Sequence, residues 1–396
     1  MRTSYTAVAM SICVLLGILI GATPSNVRAL PIAPSPRIAA SEPPDREIRL
    51  PKDELAPQEM LVIAADAGDV RDWGIDYLAI PEAWKTTKGK GATVAVLDTG
   101  VDVGHRDLGR VVALRDFTGS RSGNADVNGH GTHCLGVVGG AENGVGMVGV
   151  APECGLVSIK VLGDNGAGLS SWIASGIDLA ADPKSGVDVI SMSLGSDAPD
   201  ARIEAAVKRA LANGKIVIAA AGNSGPRENT TGWPGAFPGV ICVAACDDSG
   251  KIAQFSSRGK SVYITAPGVN VNSAYPGDRF ARMSGTSMAT PYVAGVAALY
   301  VSRCKLLGIK WSAEEFAELL AKNSKDIAPS GRDTASGFGL IQPVRLLPAK
   351  PEPKEPPKQL PPDTDTIEIT PPADLPLTAG GRKVKRIILE LEPLKP

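Results

Sequence analysis

An aspartate, a histidine and a serine that together could cleave an acyl bond stand far apart in this sequence, each among small residues. Asp98 follows the apolar run 93–97 and opens Asp98-Thr99-Gly100. A carboxylate at the C-terminal end of a buried parallel strand faces the crevice where α/β proteins build sites. It must meet a cation or several donors there, or desolvation makes it costly. The same tripeptide also ends strands in aspartic proteases and phosphotransferases, and it can be a plain turn. His130 lies in Asn128-Gly129-His130-Gly131-Thr132-His133, which holds two of the 3 histidines. Flanking glycines, lacking β-carbons, let an imidazole come close to backbone and substrate. His130 and His133 could instead share a helix face as metal ligands, although the spacing is not HExxH and its glutamate is missing.

Ser287 sits in Ser284-Gly285-Thr286-Ser287-Met288-Ala289-Thr290-Pro291, which opens a helix rich in Ala, Gly and Val that runs to about residue 303. Pro291 is compatible with the first turn, where a missing N–H costs least. Free N–H groups at a helix start favour developing negative charge, which suits a nucleophile whose attack creates an oxyanion. An isolated serine there would be an ordinary N-cap. Asn223, in Ala219-Ala220-Ala221-Gly222-Asn223-Ser224-Gly225, could offer its amide to such an oxyanion, or simply form a turn.

Strand-length apolar runs recur at 93–97, 187–192, 215–221, 240–245 and 262–266. They are apolar on both faces, as strands of a covered parallel sheet must be. Helical patterns at 170–181, 201–213 and after Thr286 lie between them. The alternation predicts an α/β domain with a parallel sheet.

The 396 residues suffice for one large domain with appendages, and 43% hydrophobic residues suffice for a large core. A net charge of -1 gives no electrostatic reason to expect nucleic acid or an anionic membrane as partner. Arg2 and the apolar run 7–21 resemble a secretory signal, with Ala22 or Ala29 closing a cleavage site. An uncleaved anchor helix is the alternative. The expected layout is a signal peptide at 1–29, a short extension at 30–70, a catalytic domain at 71–346 and a Pro-rich tail at 347–396. The tail is expected to be disordered, with one short strand near 383–391. Five cysteines remain after Cys13, so at least one stays free or pairs between chains. Cys242 and Cys246, four apart on one strand, would be roughly 13 Å apart, too far to bond each other.

Taken together and in order, the blocks around Asp98, His130, Asn223 and Ser287 resemble the subtilisin-like serine proteases over about 73–346. The order Asp, His, Ser is the subtilisin order. The resemblance implies a three-layer sandwich, helices on both faces of a mainly parallel sheet. It implies a secreted or periplasmic monomeric endopeptidase acting on polypeptides with broad specificity and an apolar preference before the cut bond. Ser287 would be the nucleophile and His130 the base. Asp98 would orient the imidazole, and Asn223 with the Ser287 N–H would hold the oxyanion. A narrow processing protease and a catalytically silent binding module of the same fold are the alternatives.

The resemblance also places Ser193, Leu194 and Gly195 on one edge of the substrate channel and Gly166 and Gly168 on the other. A peptide would add between them as a strand. Gly232 would floor the pocket for the residue before the cut bond, and Ser170 would leave open a pocket that relatives cover with an aromatic. A structural calcium ion would take Asp107, Asn143, the carbonyls of Ala141, Val145 and Met147, and Asp69. Residues 30–70 are too short for the folded prodomain of secreted relatives. Instead Glu47-Ile48-Arg49-Leu50-Pro51 resembles the extension that blocks the cleft of intracellular subtilisins, so residues near Leu50 and Pro51 are expected to occlude the site. Cys134 stands where Val is common, and could confer mercury sensitivity or merely pack.

Overall fold

The structure, a computed structural model, describes residues 28–29, 44–50, 56–63, 68–327 and 329–350, with strand backbone at 366–369, 378–379, 382–383 and 387–390. The expected signal run at 7–21 and Pro51 lie outside the described residues. Seven strands make the central sheet: β1 (Thr93–Asp98), β2 (Val111–Asp116), β3 (Gly155–Lys160), β4 (Val189–Met192), β5 (Ile216–Ala220), β6 (Ile241–Cys246) and β7 (Val262–Pro267). All run parallel, in the order β2-β3-β1-β4-β5-β6-β7. Arg28–Ala29 adds two residues alongside β2.

Alternation along each strand sends successive side chains to opposite faces. On β1, Val94 and Val96 join the core that contains Leu135 and Val293. Ala95 and Leu97 join the core that contains Ile173 and Val207. Helices α1 (His130–Gly139) and α4 (Thr286–Leu307) therefore cover one face, and α2 (Ser170–Ala181) and α3 (Ala201–Ala212) the other. The three-layer α/β architecture follows from that alternation. Helix α3 buries Ile203, Ala206, Val207 and Ala210, one face of a 3.6-residue period. Helix α4 has every residue from Thr286 to Ser302 buried, as a helix that is apolar all round must.

Beside the sheet, Val271–Tyr275 pairs antiparallel with Arg279–Met283, which also takes up Glu59–Leu61. The five cysteines of the described residues are all buried and unpaired. The tail from Ala349 is a separate unit. In it Thr366–Ile369 pairs antiparallel with Ile387–Glu390, and Thr378–Ala379 with Arg382–Lys383.

Candidate active site

Asp98 is the last residue of β1, and His130 is the first of α1. Both are buried, and His130 Nδ1 lies 2.8 Å from Asp98 Oδ1. Asp98 Oδ1 also accepts from the Thr99 N–H at 2.7 Å. Burial alone would lower the basicity of His130, but the neighbouring Asp98 charge, with smaller help from Cys134, holds it well above the ordinary imidazole value. The flanking glycines are required sterically. Gly129 has φ 101°, and a Cβ there would stand 2.2 Å from Tyr275 Cε2. A Cβ on Gly131 would stand 2.3 Å from the Gly100 carbonyl oxygen.

One residue that motif reasoning passed over holds this helix start in place. Asp126 is buried and accepts four hydrogen bonds: from Gly129 N at 2.7 Å, Thr132 N at 2.8 Å, Thr132 Oγ1 at 2.7 Å and Thr99 Oγ1 at 2.9 Å. Thr99 Oγ1 in turn accepts from Gly131 N at 2.9 Å. Helix α1 has no side-chain cap of its own at Gly129, so Asp126 satisfies its orphan donors. An acidic residue just ahead of a helix start was the available signal.

The metal reading of His130 with His133 does not survive. His133 Nε2 lies 3.1 Å from the Val271 carbonyl oxygen and 3.2 Å from that of Ala281. Burial, with the His130 charge, pushes its imidazole down to about 3. The one cluster of three metal-capable side chains among the described residues is Asp98, His130 and Cys134. Burial pushes the Cys134 thiol up, so it stays neutral. Its Sγ lies 3.6 Å from the Ser287 carbonyl oxygen and 3.8 Å from His130 Nδ1.

Ser287 is the second residue of α4. Pro291 is the sixth, in the second turn rather than the first. The N–H that Pro291 lacks would have bonded the Ser287 carbonyl. Ser193 Oγ donates to that carbonyl instead, at 2.8 Å. Ser287 Oγ in turn donates to the Ser193 carbonyl at 3.3 Å. The proline thus couples the Ser287 turn to the loop after β4. Asn223, just after β5, accepts from Thr286 N at 3.0 Å and Thr286 Oγ1 at 2.9 Å through its Oδ1. With both donors on the carbonyl side, the amide NH₂ is turned away from Thr286.

Ser193 and Leu194 are buried after β4, and beyond Gly195 Ser196 exchanges backbone hydrogen bonds with Trp233 at 2.9 and 3.0 Å. Gly232 N donates to the Ala221 carbonyl at 2.8 Å, which places Gly232 beside the turn that carries Asn223. The opposite edge is already occupied. Glu47–Arg49 pairs antiparallel with Ala167–Leu169, Ile48 opposite Gly168. Leu50 N donates to the Gly166 carbonyl at 2.9 Å. Ile48 and Leu50 are buried in the same core as Leu162. Ser170, expected beside an open pocket, is buried and bonds this segment, accepting from Arg46 N at 3.1 Å. Gln58 N donates to the Arg282 carbonyl at 2.9 Å, and Ser284 Oγ to Gln58 Oε1 at 2.8 Å. Described residues of the extension therefore contact both the 166–170 segment and the 282–284 segment just ahead of Ser287.

The expected calcium ligands gather around one loop. Asp107 is buried, and burial pushes its carboxyl up to about 7. Its Oδ2 accepts from Met147 N at 2.7 Å, while its Oδ1 has no hydrogen-bond partner. Ala141 N donates to the Asp107 carbonyl at 2.8 Å. Asp69 Oδ1 accepts from Asn143 N at 3.0 Å and Gly144 N at 2.8 Å. Asn143 Oδ1 accepts from Val145 N at 3.1 Å. A donorless buried carboxylate oxygen among further oxygens fits a hard cation.

The sequence profile of the subtilase family matches residues 89–339, and the chain belongs to that family. It is similar to an intracellular serine protease of Paenibacillus polymyxa, 43% identical over 57% of this chain and 71% of the relative. Subtilisin DY of Bacillus licheniformis is 42% identical over 61% of this chain and 87% of the relative. Thermitase of Thermoactinomyces vulgaris is 37% identical over 67% and 93%. The protein is thus a serine endopeptidase of the subtilisin type, with polypeptides as substrates. Among the described residues no helix is long and apolar enough to cross a membrane.

Proposed function

We propose that peptide bonds are cut by Ser287, with His130 as general base and Asp98 as its partner. Ser287 Oγ attacks the scissile carbonyl while His130 takes the hydroxyl proton. The proton then passes to the leaving amine, and water resolves the acyl-enzyme by the same route. The Asn223 amide NH₂ and the Ser287 N–H at the start of α4 hold the oxyanion. The 2.8 Å contact of His130 Nδ1 with Asp98 carries this reading, because it fixes the tautomer that leaves Nε2 to accept the proton. Hydrolysis of a denatured protein by wild type but not by Ser287→Ala tests it. Equal rates would refute it, and would favour a silent binding module of the same fold.

With residues 47–50 in place the enzyme is restrained. Residues 47–50 take the edge that a substrate strand would use, with Ile48 and Leu50 as buried anchors. Each buried aliphatic side chain contributes about 2 kcal/mol. Removal of this segment releases the cleft. An apolar preference before the cut bond follows from Gly232, whose missing side chain leaves the pocket roomy. Export by the segment at 1–29 is part of the proposal, and N-terminal mapping of protein from the medium or periplasm checks it. A calcium ion held by Asp107, Asn143, Asp69 and the carbonyls of Ala141, Val145 and Met147 would steady the loop. It takes no part in the chemistry.

A further inference from the structure

Helix α2 begins without a side-chain cap of its own, since Leu169 stands at its cap position. Its first donors are met by a carboxylate from the extension. Asp45 Oδ1 accepts from Ser171 N at 3.0 Å and Asp45 Oδ2 from Ser171 Oγ at 2.9 Å. Ser170 Oγ donates to Asp45 Oδ1 at 3.4 Å, and Arg202 Nη1 lies 2.9 Å from the same oxygen. Arg202 is largely buried and well oriented. It bonds both oxygens of Asp200 at 3.2 and 3.3 Å, Ser170 Oγ at 2.7 Å and the Pro44 carbonyl at 3.1 Å.

Two independent features meet here. One is that the Asp45 carboxylate meets both a helix N-terminus and Arg202, a guanidinium it shares with the buried Asp200, a set of donors suited to an anion. The other is that this carboxylate lies two residues ahead of the strand Glu47–Arg49, which pairs with Ala167–Leu169. The extension presents an acid at 45, an aliphatic residue at 48 and another at 50. Loss of the extension would take Asp45 away from Arg202, Ser170 and Ser171.

We propose that Arg202, Ser170 and Ser171 form a distal subsite that selects an acidic side chain in the substrate, three residues ahead of the aliphatic residue that replaces Ile48. The favoured substrates are extended segments of pattern acid-x-x-aliphatic-x-aliphatic, cut just beyond. The inference rests on the proteolytic reading above and on the extension lying in the direction a substrate takes. The interaction is charge-assisted but lies near the surface, so it is worth about tenfold in kcat/KM.

The test uses the full chain after its maturation has run to completion. Its kcat/KM is compared on the anilides Asp-Arg-Glu-Ile-Arg-Leu-Phe and Asn-Arg-Glu-Ile-Arg-Leu-Phe, at low and high salt. The Asp peptide should be favoured about tenfold, and the preference should shrink with salt and vanish in Arg202→Gln. Equal rates on the two peptides by wild type would overturn the subsite without recourse to any variant. A preference that persists in Arg202→Gln would overturn the assignment to Arg202. Failure to cleave either peptide or casein would remove the proteolytic reading itself, and this inference with it.

Discussion

At the scale of single residues, the decisive quantity is the protonation of His130. As the proposed base it must be neutral to accept the serine proton, and Asp98 holds it well above the ordinary imidazole value. Activity should therefore fall as pH drops through that raised value, leaving an acid limb above about 6.5 in a kcat/KM profile. In Asp98→Asn the charge that raises His130 is gone, so the limb should move to lower pH and kcat should drop about 10⁴-fold. An unmoved limb would mean that another group titrates. Asp126 acts through α1 and touches no substrate. Asp126→Ala leaves the Gly129 and Thr132 donors unsatisfied, which costs about 1–3 kcal/mol of stability in a denaturant titration. It should lower kcat more than it raises KM, since it tilts His130 without altering the groove. The three residues proposed as the triad stand out in the sequence because each sits in a distinctive run of small residues. Asp126 could not, because its partners are backbone amides that only the helix start brings together.

At the scale of elements, the extension strand matters most. Ile48→Asp places an unpaired charge in an apolar pocket and should loosen the strand. Full-length Ile48→Asp should therefore show a shorter lag and a higher initial rate on a small anilide than wild type; an identical progress curve would argue against occlusion. The run 47–51 was recognisable in the sequence. The hold that Arg202 and the α2 start exert on Asp45 was not, since those groups lie far apart along the chain. Five of the seven sheet strands showed as continuous apolar runs. Strand β2 was hidden because its apolar part is short and ends in Arg115 and Asp116, and β3 because Ser158 and the buried Lys160 interrupt its apolar run. That lysine is held by the Ala125 carbonyl at 2.9 Å and Asp164 at 2.7 Å. Helix α1 was obscured by its glycines, poor helix formers that allow close approach at Gly131 and Gly136.

For the whole molecule, the proposed cation joins the segment at Asp69 to the loop at 141–147 and to Asp107. A ligand that binds only the folded state stabilises by mass action, about 3 kcal/mol at a hundredfold excess over Kd. Chelation should then lower Tm by roughly 5–10 °C for a domain of this size. In Asp107→Asn, chelator and added calcium should leave Tm nearly unchanged. A wild-type Tm indifferent to chelator would dismiss the ion.

The most direct measurement of the central claim is the site and rate of covalent capture by a serine-directed fluorophosphonate, followed by mass spectrometry. The predicted result is a single adduct on Ser287, formed slowly in the chain that retains residues 44–50 and faster once they are lost. No adduct on Ser287 after their loss would contradict the catalytic assignment. An equal rate before and after would contradict the occupied cleft.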